Sequence, residues 1–148
     1  MDRAKDIANY MLSKKALTPK QVQKLLYYAY SLYLVKYNEN YEQENMNKLF
    51  DDKIEAWEHG PVIRAVYDYM KKVAFSYQPV TCKGKVELSE KRIENFIDKI
   101  LSVYGQYSGY ELELMTHAER PWNEAMEIGR NHVISDKTIY EYFSNKYK

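Results

Sequence analysis

The chain has 148 residues, of which 45% are hydrophobic and 29% charged, an ordinary composition for one folded domain that needs no disulfide or metal staple. Its 22 basic and 21 acidic residues leave a net charge of +1, which argues against a dominant phosphate-binding surface, since such a surface shows as a basic excess. The one cysteine, Cys82, excludes an internal disulfide and a cysteine-built zinc site and points to a reducing compartment.

No apolar run approaches the roughly 18 residues of a membrane span. The polar start, Met1-Asp2-Arg3-Ala4-Lys5-Asp6, leads into an amphipathic pattern and not into the apolar core of a signal peptide, so a cytoplasmic protein is expected. The compositional excess is in tyrosine, with 16 residues. A tyrosine buries a large ring and keeps a polar tip, which suits a core with wet edges or a binding surface.

In chain order, Ala4, Ile7, Ala8, Met11 and Leu12 fall on one helical face, followed by Lys14 and Lys15 where cations complement the helix dipole. Thr18, Pro19 and Gln21 form a start signal for a second helix. Its stripes, Val22-Leu25-Ala29-Leu32 and Leu26-Tyr30-Tyr33-Tyr37, are wide enough for the centre of a bundle. Asn38 to Asp52 reads as a long polar loop, and Lys53 to Trp57 as a short extended piece. His59-Gly60-Pro61 reads as a turn with Pro61 opening a third helix, whose stripe is Val62, Ala65, Val66, Tyr69, Met70 and Val73. Residues 75–88 allow a small β-hairpin or an irregular loop. Ser89 is the expected cap of a fourth helix ending at Gly105, Ser108 and Glu111 box a fifth, and Pro121 restarts a turn through Met126. Ser135 caps a last helix with Ile139, Tyr142, Phe143 and Tyr147 inward. The expectation is a mainly all-α single domain over 1–148, a compact bundle of about six helices.

Two clusters break the helical pattern: Glu55-Ala56-Trp57-Glu58-His59-Gly60-Pro61-Val62 and Thr116-His117-Ala118-Glu119-Arg120-Pro121-Trp122. Both lie at helix boundaries, where irregular backbone can aim side chains at a site. Their similar content predicts that they pack together, with His117 hydrogen-bonded near the Gly60-Pro61 turn. A hydrolase or metalloenzyme could draw on His59 and His117 with Glu55, Glu58 or Glu119. No HExxH spacing, phosphate loop or nucleophile elbow supports it. Trp57 and Trp122 read first as packing anchors. Lys14, Lys15, Lys20, Lys24 and Lys36, with a helix-turn-helix drawn around Ala16 to Pro19, offer a nucleic-acid reading that the balanced charge disfavours.

The run Leu25-Leu26-Tyr27-Tyr28-Ala29-Tyr30, the Glu55–Val62 block followed by Val66-Tyr67, and the Thr116–Trp122 block together resemble the SocA-like antitoxin family, also called the Panacea domain, to which phage-associated GepA-type proteins belong. The order and spacing of the three blocks match. The resemblance implies a non-enzymatic antitoxin, with no cofactor and no metal, encoded beside a toxin gene and acting on the toxin by direct contact. In one branch it implies a proteolytic adaptor that delivers the toxin to a ClpXP-type protease. The positions carried over as scaffold or toxin contact are Tyr27, Tyr28, Glu55, Trp57, His59, Gly60, Pro61, Tyr67, Thr116, His117, Glu119, Pro121 and Trp122. Exposed tyrosines and the Asn38–Asp52 loop are the expected contact surface.

Overall fold

Local chemistry sets where the central helix begins. In the computed structural model, which describes residues 1–148, the Gln21 N–H donates to Thr18 Oγ1 at 3.0 Å and the Thr18 N–H returns to Gln21 Oε1 at 2.8 Å. This reciprocal cap opens α2 (Pro19–Lys36), with Pro19 where a missing N–H costs nothing. Almost every position of α2 from Val22 to Val35 is buried. A helix apolar on all sides belongs in a core, and α2 is packed by α1 (Ala4–Lys14), α3 (Arg64–Met70), α4 (Lys91–Tyr104), α5 (Gly109–His117) and α7 (Asp136–Tyr147). A further helix, α6 (Arg120–Ile128), joins α5 to α7, so the bundle has seven helices where the sequence suggests about six. The restart at Pro121 is a complete helix and not a single turn.

The remaining regular structure is a hairpin, β1 (Glu55–Trp57) and β2 (Gly60–Val62), antiparallel with Trp57 opposite Gly60 and Ala56 opposite Pro61. Residues 131–134 pair with its other edge: the Ala56 N–H donates to the His132 carbonyl at 2.8 Å and the Ile134 N–H to the Ile54 carbonyl at 2.8 Å. Of the two alternatives for 75–88, the irregular one holds. That segment makes one isolated bridge, Val80 with Leu17.

Three local readings are corrected. Pro61 does not open α3 but lies in β2, because its fixed φ is as compatible with an extended strand as with a first helical turn. Ser89 does not cap α4. Its N–H and hydroxyl both donate to the Asp2 carboxylate, at 2.9 and 2.7 Å, and Glu90 takes the N-cap position with no side-chain cap. On α7 the buried residues are Thr138, Ile139, Tyr140 and Phe143, whereas Tyr147 is half exposed and Tyr142 is only partly covered. The caps at Ser108 and Ser135 form as the sequence indicates. No helix is long and apolar enough to cross a membrane.

Candidate functional site

The two irregular clusters meet beside the N-terminal half of α2. The Trp122 indole N–H donates to the Trp57 carbonyl at 2.8 Å, which ties the start of α6 to the end of β1. The His117 ring stacks on Trp122 with centroids 4.0 Å apart. Trp57 leans on Tyr67 of α3 at 5.0 Å, and the Arg64 guanidinium lies 5.2 Å over the Trp57 ring. Glu55 holds both neighbours, accepting from the Trp57 indole at 2.9 Å and from Arg64 at 3.0 Å. The packing of the clusters therefore agrees with the sequence, but the bond assigned to His117 does not form. Its Nε2 is buried with no partner, and its ring serves Trp122 instead. The groups next to the Gly60-Pro61 turn are Lys24 and Thr116.

Gly60 explains that arrangement. Its φ is +108°, a region L side chains rarely enter, and a Cβ there would stand 2.9 Å from Lys24 Cε and 3.0 Å from Thr116 Oγ1. Lys24 is only 2% exposed. Its ammonium donates to the Pro61 carbonyl at 3.1 Å, and its pKa falls to about 7 because burial penalises the charge and Lys20 repels it, with Glu113 opposing. One residue earlier, Gln23 clasps the strand end: its amide donates to the Ile63 carbonyl at 3.2 Å and accepts from the Ile63 N–H at 2.8 Å.

Glu113 of α5 draws Lys20 and His59 together. It pairs with Lys20, and His59 Nδ1 lies 3.2 Å from its other oxygen. Burial would raise the Glu113 pKa, but the contacts with Lys20 and His59 prevail and hold it below the ordinary value. Deeper in the core, Glu119 accepts from the hydroxyls of Tyr28 at 2.8 Å and Tyr27 at 3.3 Å. Burial dominates there and lifts its pKa to about 7.

Above these residues runs an open groove of about 790 Å³. One wall is α2 at Lys20 and Lys24, another is the hairpin at Trp57 and His59, and the third is α3 with the segment after it, at Tyr67 and Phe75. Tyr27, Tyr28, Gly60, Pro61, Thr116, Glu119 and Pro121 are buried scaffold, and none of them lines the groove. Trp57, His59 and Tyr67 face it, and Glu55 and Trp122 brace it from behind.

The carboxylates offered by the sequence as partners of the histidines are engaged elsewhere: Glu55 by Trp57 and Arg64, Glu58 by Arg130, and Glu119 by the two tyrosines. No group of three or more His, Cys, Asp or Glu side chains converges on a metal-sized site. The hydrolase or metalloenzyme alternative thus has no geometric support. Lys24 lies on the groove floor and not on an open basic face, and Lys15 spends its ammonium on the Gly105 carbonyl at 2.7 Å.

Sequence reasoning misses Gln23 and Glu113, and it places Lys24 among the surface cations. A signal is present: Gln23 and Lys24 stand one helical turn before Tyr27 and Tyr28, on the same buried faces.

Residues 22–123 match the family described as Antitoxin SocA-like, Panacea domain, a span that runs from the first turn of α2 into α6 and takes in most of the groove lining. No curated protein and no solved structure matches the chain.

Proposed function

We propose that this chain, which belongs to the SocA-like antitoxin family, neutralises a partner toxin in the cytoplasm by stoichiometric contact, through the groove between α2, the hairpin and α3. The family supports an antitoxin role in general. The groove reading is carried by one observation: the family blocks divide into a buried scaffold and a set of ring side chains, Trp57, His59 and Tyr67, that line the groove. Tyr67 is half exposed and Phe75 mostly so. Large rings presented on a fixed frame are what a protein interface uses as anchors. The Asn38–Asp52 loop is a secondary contact surface in this reading. Asn38 and Asn47 clamp it through paired hydrogen bonds of 2.9 and 2.8 Å, so residues 39–46 are offered on a pinned base. An interface of ordinary size covers about 800 Å² on each partner, so the contact in this reading extends from the groove onto its rims.

The test is co-expression with the toxin encoded beside it, scored for growth rescue and co-purification, followed by titration of toxin activity with purified protein. Saturation at a fixed molar ratio is expected. Complete inactivation by a small catalytic fraction, with covalent change in the toxin, refutes binding as the mechanism. Delivery to a ClpXP-type protease is a further part of the proposal. It is checked by the toxin's half-life in cells with and without ClpX: equal half-lives remove the adaptor role.

A further inference from the structure

The floor of the groove holds a lysine without a carboxylate partner of its own. The Lys24 ammonium carries three donors and meets one protein acceptor, the Pro61 carbonyl. The other cations lining the groove are committed: Lys20 to Glu113, Arg130 to Glu58 and Lys71 to Asp68. The lysine is not a loose side chain folded in by chance. The space it occupies exists because residue 60 is glycine. A buried ammonium is costly to keep charged unless an opposite charge and further hydrogen bonds compensate it. Directly above it the groove opens between Trp57, Tyr67 and Phe75.

We propose that Lys24 anchors a carboxylate-specific docking pocket. A protein partner lays a short extended segment in the groove, seats one Asp or Glu side chain against the Lys24 ammonium, and packs its flanking apolar residues on Trp57, Tyr67 and Phe75. This rests on the reading of the groove as the contact surface. An incoming carboxylate supplies the opposite charge that keeps Lys24 protonated, and one lysine matches one carboxylate. A nucleic-acid strand would bring a run of phosphates against a wall that also holds the Glu58 carboxylate, so a protein segment is the better fit. The pocket also discriminates: an amide in place of the acid leaves the ammonium unpaired and gives up the charge pair.

The experiment selects random dodecapeptides displayed on phage against the immobilised full chain. Enriched peptides are then synthesised with a fluorescein label and their binding measured by anisotropy. The enriched set is expected to share an Asp or Glu within a few positions of aromatic or aliphatic residues. Replacing that acid by its amide should weaken binding to the wild type roughly tenfold. Against Lys24→Met the acid and amide forms should bind alike. A selection that yields no peptide above background, or acids and amides that bind the wild type equally, overturns the proposal, and the comparison of acid with amide needs no variant to fold. A labelled single-stranded RNA dodecamer is measured alongside; binding of that RNA that depends on Lys24, without acidic peptides, assigns the pocket to nucleic acid and overturns it as well. Toxin titration separates this proposal from the reading beneath it. Neutralisation by Tyr67→Ala/Phe75→Ala at the wild-type ratio means that the groove is not the contact surface. Neutralisation lost in that variant and fully kept by Lys24→Met means that the groove is right and the carboxylate anchor wrong.

Discussion

Lys24 and Glu119 are both pulled toward neutrality by burial, one from each end of the pH scale. Glu119 has its pKa raised from 4.5 to about 7. Between those values the folded protein keeps a proton that the unfolded chain has released, so stability falls as pH rises through that window. Lys24 has its pKa lowered from 10.5 to about 7. Between 7 and 10.5 the unfolded chain keeps a proton that the folded protein has released, so stability rises with pH. Other shifted groups act outside the range from pH 5 to 9. Asp6, Glu94, Glu113 and Glu124 are held below their ordinary values and lose stability in acid, and the raised tyrosines act in strong alkali. The expected outcome is a melting temperature that dips near pH 7 and is higher at pH 5 and pH 9. A tenfold difference in proton affinity between the folded and unfolded chain is worth about 1.4 kcal/mol, so each arm contributes at most ~3 kcal/mol over this range. Calorimetry across pH 5–9 checks it: Glu119→Gln should flatten the acid arm and Lys24→Met the alkaline arm, and a wild-type profile that rises or falls throughout refutes the assignment. Neither effect is legible in the sequence. Glu119 is visible there as part of a motif, but its burial depends on Tyr27 and Tyr28, some ninety residues earlier.

At the scale of elements, legibility follows the range of the interaction. The caps at Thr18, Ser108 and Ser135 form between residues three apart, and all are readable. The hairpin is readable only as a short extended piece and a turn, because its third chain segment arrives from residues 131–134 and its anchors come from α2. Ser89 shows the reverse case, a good local cap signal diverted by Asp2 from the other end of the chain. The dependence of the hairpin on α2 gives a prediction. Gln23→Leu leaves the Ile63 N–H and carbonyl without their clasp, at a cost of about 1–3 kcal/mol. Gly60→Ala forces a Cβ into the Lys24 and Thr116 side chains at a positive φ, at a cost of about 1–3 kcal/mol from the backbone alone. Urea unfolding should show both losses as lower midpoints with unchanged slopes. A Gly60→Ala midpoint equal to that of the wild type would mean that the turn relaxes freely and does not hold Lys24 in place.

At the scale of the whole molecule, fold and function separate into different side chains. The core is legible because periodicity reports it: Leu25, Leu26, Ile97 and Phe143 all fall on inward-facing stripes and all are buried. The groove is not, since it is an arrangement of α2, the hairpin, α3 and the residues after α3, and no local pattern describes it. This separation can be tested with two kinds of substitution. Leu25 is fully buried at the centre of α2. Leu25→Asp places a carboxylate there without a partner, which costs several kcal/mol and takes most of the roughly 5–15 kcal/mol that a domain of this size has. The variant should be unfolded or molten, and lose neutralisation for that reason. Phe75 and Tyr77 are 70% and 77% exposed, with rings stacked on each other 6.0 Å apart and outside the core cluster. Phe75→Ala and Tyr77→Ala should therefore leave the melting temperature within about a degree, as surface truncations do. If the groove and its rim bind the toxin, each should weaken the complex by a factor of about ten, the cost of truncating an interface anchor. Calorimetry paired with toxin titration reads both quantities on the same samples. A cooperative, wild-type-like melt for Leu25→Asp removes the central place given to α2. Full-strength neutralisation by a well-folded Phe75→Ala/Tyr77→Ala variant moves the toxin contact away from this rim.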